Sequence, residues 1–136
     1  MIGDNAAWDE FITAHRWAVL TVLRRDGQPS SSVVAYARRG DELVVSTPGM
    51  TLKRRLAEAD PRVNLCVISN AEPFNFVAME AAAEVTRDDL EEDTRRVFAN
   101  LRDTGYQVPT DLPKWLQDQR RVILRLRPQR VYGVIR

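Results

Sequence analysis

The sequence predicts an α+β protein in which six or seven short, mostly antiparallel strands close on themselves as a barrel, with two or three helices inserted. Three observations lead there. Apolar runs of strand length follow one another across tight turns, and Asp26-Gly27 is a favoured pair for a two-residue hairpin. The long run from Phe74 to Val85 alternates with period two, placing Val77, Met79, Ala81, Ala83 and Val85 on one face and Glu80 and Glu84 on the other. Strict strand–helix alternation and a glycine fingerprint are both missing, which argues against a doubly wound dinucleotide-binding sheet.

Taken in order, Asp4 or Asn5 caps a first helix whose apolar positions Ala7, Trp8, Phe11 and Ile12 share a face, with His15 at its end. Trp17–Leu23 is a continuous apolar run of strand length. After the Asp26-Gly27 turn, Pro29 opens a second strand over Ser30–Ala37, where its missing N–H costs least. Arg38-Arg39-Gly40-Asp41 turns the chain into a third strand at Leu43, completing a meander. Asp60-Pro61-Arg62 stops a short helix, and Val63–Ile68 reads as the next strand. A turn at Ser69–Pro73 leads into the alternating run. Thr86 or Asp88 then caps a helix with an acidic first turn and a stripe of Leu90, Val97, Phe98 and Leu101, with Gly105 as its stop. Tyr106–Gln119 reads as a loop holding a short helix around Trp115. Two strands, Val122–Arg127 and Arg130–Ile135, close the chain with a bend at Pro128-Gln129.

At 136 residues the chain fits one domain, residues 1–136. A chain of this length buries about 65–70% of its unfolded surface, enough for a core without staples. Apolar content of 44% and charged content of 29% are those of a globular protein. A formal net charge of +1 gives little support to a nucleic-acid partner. The single cysteine, Cys66, excludes an internal disulfide. No apolar run approaches the length of a membrane span, and the N-terminal residues lack a signal-peptide pattern, so the expectation is a cytoplasmic protein with no membrane partner.

Leu43–Arg62, LVVSTPGMTLKRRLAEADPR, is the stretch around which the rest is arranged. A buried strand passes through Ser46 and Thr47, turns at Pro48-Gly49, and restarts as a helix carrying Lys53, Arg54 and Arg55. Helix N-termini present unpaired N–H groups and the positive end of the macrodipole, which suits a phosphate or carboxylate. An ordinary strand–turn–helix with a solvated basic face is the other reading. Lysine occurs only at Lys53 and Lys114, which makes the placement of Lys53 noticeable.

Elsewhere the chemistry is sparse. There is no Cys/His cluster for a metal, no HExxH and no GxSxG, and a serine triad would have to use His15, which reads as a cap or packing residue. Glu80 and Glu84 share a strand face as a potential acid/base pair, against the simpler reading of surface carboxylates. No catalytic side chain is assigned. Few proton-transfer groups beside an anion site suggest chemistry supplied by a bound cofactor. The serines at Ser30–Ser32 either satisfy local turns or line a polar cleft wall.

Four stretches, DGQPSSSVV (Asp26–Val34), LVVST…LKRRLAEADPRV (Leu43–Val63), FNFVAMEAAAEV (Phe74–Val85) and RRVILRLRPQRVYG (Arg120–Gly133), together resemble the split β-barrel flavin and deazaflavin oxidoreductases of the pyridoxamine 5'-phosphate oxidase-like superfamily. The resemblance is nearest to the small branch that uses coenzyme F420. It implies an FMN-binding type of split barrel and a homodimer with the cofactor at the subunit interface. It also implies hydride transfer from reduced F420 to an unsaturated or conjugated organic substrate. By the same resemblance Lys53 and Arg55 hold the cofactor phosphate, with Ser46 and Thr47 at the strand end. Arg54 joins them toward the acidic polyglutamate tail, and Ser31, Ser32 and Val33 border the ring system. The asparagine usual after the basic residues is absent, since Leu56-Ala57 follow Arg55, and Ala81 stands where a glycine is common. FMN therefore stands as the alternative cofactor. An FMN-dependent oxidase or flavin reductase, and a non-catalytic flavin-, F420- or haem-binding module, are the alternative functions. Solvent, Tyr106 or Lys114 are the available proton donors.

Overall fold

In a computed structural model describing residues 1–136, seven strands form a single antiparallel sheet that curls into a split barrel, with four helices around it. In chain order the elements are α1 (Ala6–Ala14), β1 (Trp17–Leu23), β2 (Pro29–Ala35), β3 (Ala37–Arg39), β4 (Glu42–Thr47) and α2 (Leu52–Ala59). They continue with β5 (Arg62–Ile68), β6 (Phe76–Thr86), α3 (Leu90–Asn100), α4 (Leu112–Asp118) and β7 (Val122–Val134). The strand order is β2-β1-β5-β6-β7-β4-β3, and curling brings β2 back against β4.

Burial explains the strand chemistry. Leu43 and Val45 of β4 point into the main core beside Leu20, Leu65, Val67, Met79, Leu124 and Leu126. Val44 points the other way, into a smaller cluster with Ile123 of β7 and Val97 and Leu101 of α3. Both faces of β4 are therefore covered, which is why it reads as an unbroken apolar run rather than an alternation. α1 adds Phe11 and Ile12 to the main core, and α2 adds Ala57. Asn5 caps α1, its side chain accepting from the N–H groups of Ala7 and Trp8. No helix is long and apolar enough to cross a membrane.

Several boundaries differ from the sequence expectation, among them the end of α3, which stops at Asn100 rather than at Gly105. The strand expected over Ser30–Ala37 is two strands, because the chain crosses at Tyr36 from one edge of the sheet to the other. The fully buried Tyr36 fixes that crossing by donating its hydroxyl to the carbonyls of Ile12 (2.5 Å) and His15 (2.9 Å), which ties it to the end of α1. The two expected closing strands are one strand of 13 residues, β7. Its register slips so that Glu80 faces Arg130 while Ala81 faces Pro128, leaving Gln129 as the extra residue of a bulge. A bulge tolerates proline without breaking the strand. β6 begins at Phe76, since Phe74 stays in the preceding turn with φ of 56°. α3 is entered at Asp89 rather than Thr86 or Asp88, and the Thr86 hydroxyl accepts instead from the Asp88 N–H (3.0 Å). The segment around Trp115 adds α4 as a fourth helix, its first turn capped by Asp111.

Candidate functional site

The end of β4 and the start of α2 are locked by two threonines. Thr47 is buried and its Oγ1 lies 3.1 Å from Thr51 Oγ1. Thr51 is the N-cap of α2 and accepts from the Arg54 N–H at 3.4 Å. The N–H groups of Leu52 and Lys53 remain as the open donors of the first turn. That turn carries no acidic residue. Gly49 is required by packing: a Cβ there would collide with the carbonyl oxygen of Arg120, a backbone atom that cannot swing aside.

The basic triplet divides by partner. Arg54 pairs with Glu58 at 3.1 Å, yet its Nε is buried without a hydrogen-bond partner. Lys53, half-buried, and Arg55, exposed, form no ion pair within the chain. Lys53 and Arg55 leave the helix about 200° apart. Because helical side chains lean toward the N-terminus, the two converge on one ligand only beyond the first turn. Neighbouring positions escaped sequence reasoning. Arg24 and Arg25, read only as turn residues between β1 and β2, line an open groove with Asp26 and with Leu52 and Leu56 of α2, and neither arginine is ion-paired. Only the packing of α2 across the sheet reveals that proximity.

Ser46 and Thr47, adjacent in sequence, lie on opposite faces of β4. Thr47 faces α2, whereas Ser46 faces α3 and accepts from Thr94 Oγ1 at 3.3 Å. Arg121 also reaches Ser46, donating from Nη1 to its carbonyl at 3.1 Å. Ser46 is therefore brought to Arg121, and Thr47 to the basic triplet. Ser31, Ser32 and Val33 lie on β2, at one edge of the sheet. Ser31 is exposed and its hydroxyl is 2.8 Å from that of Thr21, Ser32 is half-buried, and Val33 is 65% exposed. Met50 and Leu52, beside the Gly49 turn, are exposed at 71% and 47%, so apolar surface adjoins the cations.

The remaining candidates have structural occupations. His15 stacks on Phe11 with ring centroids 3.7 Å apart, and its Nδ1 lies 2.9 Å from the Phe11 carbonyl, a packing residue at a helix end as the sequence suggested. Glu80 is paired with Arg130 at 2.5 Å on the exposed face. Glu84 lies opposite Arg125 in the β6–β7 register. Lys114 is held charged by Asp118 at 2.7 Å, whose hydrogen bond raises the lysine pKa. Tyr106 is exposed, with its ring edge against Trp17. Burial raises the pKa of the Cys66 thiol, which disfavours the thiolate. No three His, Cys, Asp or Glu side chains converge as metal ligands.

This split barrel, with a basic turn at the end of β4, matches one sequence family over nearly its whole length, residues 5–135: pyridoxamine 5'-phosphate oxidase. The chain belongs to that family. A search of curated proteins finds none that matches this sequence. Solved structures share the fold. The conserved hypothetical protein Rv2991 of Mycobacterium tuberculosis superposes with a TM-score of 0.77 at 23% identity, covering 97% of this chain and 85% of that one. A protein described as an F420 reductase gives 0.75 at 19% identity, covering 95% and 98%. An FAD-binding protein of Mesorhizobium loti gives 0.70 at 21% identity, covering 96% and 94%. At these identities the shared property is the fold. Within the pyridoxamine 5'-phosphate oxidase family, a flavin-type cofactor is the coarse expectation for the basic turn. The residues present fit such a group: the open N–H donors of α2, the unpaired Lys53 and Arg55, and the orphaned Nε of Arg54 all suit a phosphate.

Proposed function

We propose that this protein is a coenzyme F420-dependent oxidoreductase acting on an unsaturated or conjugated organic substrate, as a homodimer in which two copies enclose each cofactor. The surplus of unpaired cation around the α2 start carries the reading. Arg24, Arg25, Lys53 and Arg55 form no ion pair, and with Asp26 as the one carboxylate lining the Arg24–Arg25 groove the balance is still more positive than one phosphate of FMN calls for. A cofactor with a phosphate and an acidic oligoglutamate tail answers that surplus.

When bound, reduced F420 supplies a hydride. The chain's own part is to bind, orient and keep out water. Lys53, Arg55 and the α2 N–H donors would hold the phosphate, while Arg24 and Arg25 would meet the tail. The exposed Val33, Met50 and Leu52 are apolar surface that a flat ring and a second copy of the chain would cover. Tyr106 packs its ring edge against Trp17 and Lys114 is paired with Asp118, so the proton is assigned to solvent.

The test is titration of the purified protein against F420 and FMN by fluorescence. F420 is expected to bind more tightly, and Lys53→Ala to weaken it at least tenfold, about 1.4 kcal/mol. Tighter binding of FMN would overturn the cofactor assignment, and an unchanged affinity in Lys53→Ala would overturn the site. Turnover is followed as loss of reduced-F420 absorbance with quinones and enones, where binding without turnover across the panel would point to a non-catalytic carrier. Light scattering at assay concentration should give twice the chain mass of 15.5 kDa.

A further inference from the structure

On the opposite face of the β4 end lies a second concavity, about 680 Å³ in volume, between the start of α3, α4 and the entry to β7. Arg87, Arg120 and Arg121 line it together with one carboxylate, Glu91. Glu91 is already committed to Arg95 at 3.0 Å, whereas none of the three arginines has an acidic partner. Arg121 is held in place by neutral groups alone. Its guanidinium sits 4.1 Å from the centroid of the Trp115 ring, Nε donates to Gln119 Oε1 at 2.8 Å, and Nη1 donates to the Ser46 carbonyl. Nη2 donates to nothing in the chain yet is not sealed from solvent. Burial without a counter-ion lowers the pKa of Arg121 to about 10. A half-buried guanidinium is costly to keep in that state, and fixing its planar fork suits recognition of a carboxylate or phosphate.

The backbone adds to the case. Arg121 N–H donates to the Leu116 carbonyl at 2.9 Å and Arg120 N–H to the Gln117 carbonyl at 3.0 Å, closing the C-terminus of α4. Arg120 occupies the left-handed position of that closure, φ 51°, where glycine or asparagine is favoured and an arginine is strained. The cap fixes the backbone that carries both arginines. Leu90, Pro113 and Leu116 give the same cleft an apolar wall.

From this convergence we propose that the α3–α4 cleft is a second ligand site, distinct from the α2 turn, which takes a small organic molecule bearing two or more carboxylate or phosphate groups. Arg87 and Arg120 supply mobile cations at the mouth, and Arg121 supplies the fixed one against Trp115. The site does not depend on the identity of the cofactor.

The test is backbone and arginine side-chain NMR of the full chain titrated separately with citrate and with inorganic pyrophosphate. Saturable shifts are expected at Arg121 Nε–H and the Trp115 indole, with the stronger probe identifying the anion class. The Arg87→Gln/Arg120→Gln variant, altered only at exposed positions, should lose at least tenfold in affinity. Lys53→Ala should leave the titration read at Arg121 and Trp115 unchanged. Arg121→Lys, which keeps the charge and removes the fork, should weaken binding while the thermal midpoint of the double variant stays at the wild-type value. Absence of saturable shifts at Arg121 and Trp115 with both probes, or equal affinity at those signals in the double variant, would each overturn the proposal.

Discussion

Replacing Asp93 by alanine tests how α3 is fastened to the barrel. Asp93 is fully buried, and its carboxylate receives Arg39 Nη1 at 3.0 Å and Arg96 Nη1 at 2.9 Å, with Arg125 Nη2 at 3.9 Å. Arg39 would keep Asp89 at 2.9 Å, and Arg96 would keep Glu92 at 2.9 Å. Arg125 would keep only the exposed Glu84 opposite it on β6, with which it forms no ion pair, and its Nε and Nη2 already lack hydrogen-bond partners. The damage therefore concentrates in one nearly buried guanidinium. Breaking a buried pair costs about 3–5 kcal/mol, and the surviving partners of Arg39 and Arg96 place this case near about 3 kcal/mol. That is a large fraction of a stability of about 5–15 kcal/mol. In urea, with a slope of about 2 kcal/mol/M, the midpoint should fall by about 1.5 M at constant slope and protein concentration. Arg125→Met in the Asp93→Ala background should recover more than half of the loss by removing the orphaned charge. A loss below about 1 kcal/mol, or no recovery in the double variant, would refute the reasoning.

Two further outcomes follow from the same geometry. Gly49→Ala drives a methyl into the Arg120 carbonyl, so it should destabilise by about 1–3 kcal/mol in thermal melting and, on the function proposed above, weaken F420 binding by displacing the α2 start. Asp9 has its pKa lowered, first by the hydrogen bond from the Ile2 N–H at 2.7 Å and then by Arg38. A folded pKa below the unfolded value means the contribution is complete above about pH 4 and is lost as pH falls through the folded value. The stability gap between wild type and Asp9→Asn should therefore close on acidification below about pH 4, and a gap independent of pH would contradict it.

Much of the barrel was legible because each strand carries its own signal. Trp17–Leu23, Leu43–Val45 and Val63–Ile68 are apolar enough to be strands wherever they are placed, and Asp26-Gly27 turns the chain locally. The errors fall where a long-range contact overrode a local sign. Tyr36 belongs to a β-rich run, but its hydroxyl bonds to the end of α1 split that run between the two sheet edges. Pro128 looks like a break, yet pairing with β6 absorbs it through the bulge at Gln129.

The site shows the same division. Sequence alone determined the strand–turn–helix at Leu43–Arg62, the cap residue types and the basic triplet, because these are properties of neighbours along the chain. Strand alternation already puts Ser46 and Thr47 on opposite faces, and tertiary structure alone decided what covers each, α3 and Arg121 at Ser46 and the α2 start at Thr47. It also decided that Arg24 and Arg25 stand beside α2, and that Arg121 reaches Ser46 from 75 residues away through the β4–β7 pairing. Strand pairing and helix packing set these neighbours, and no local pattern in the sequence records where distant strands meet.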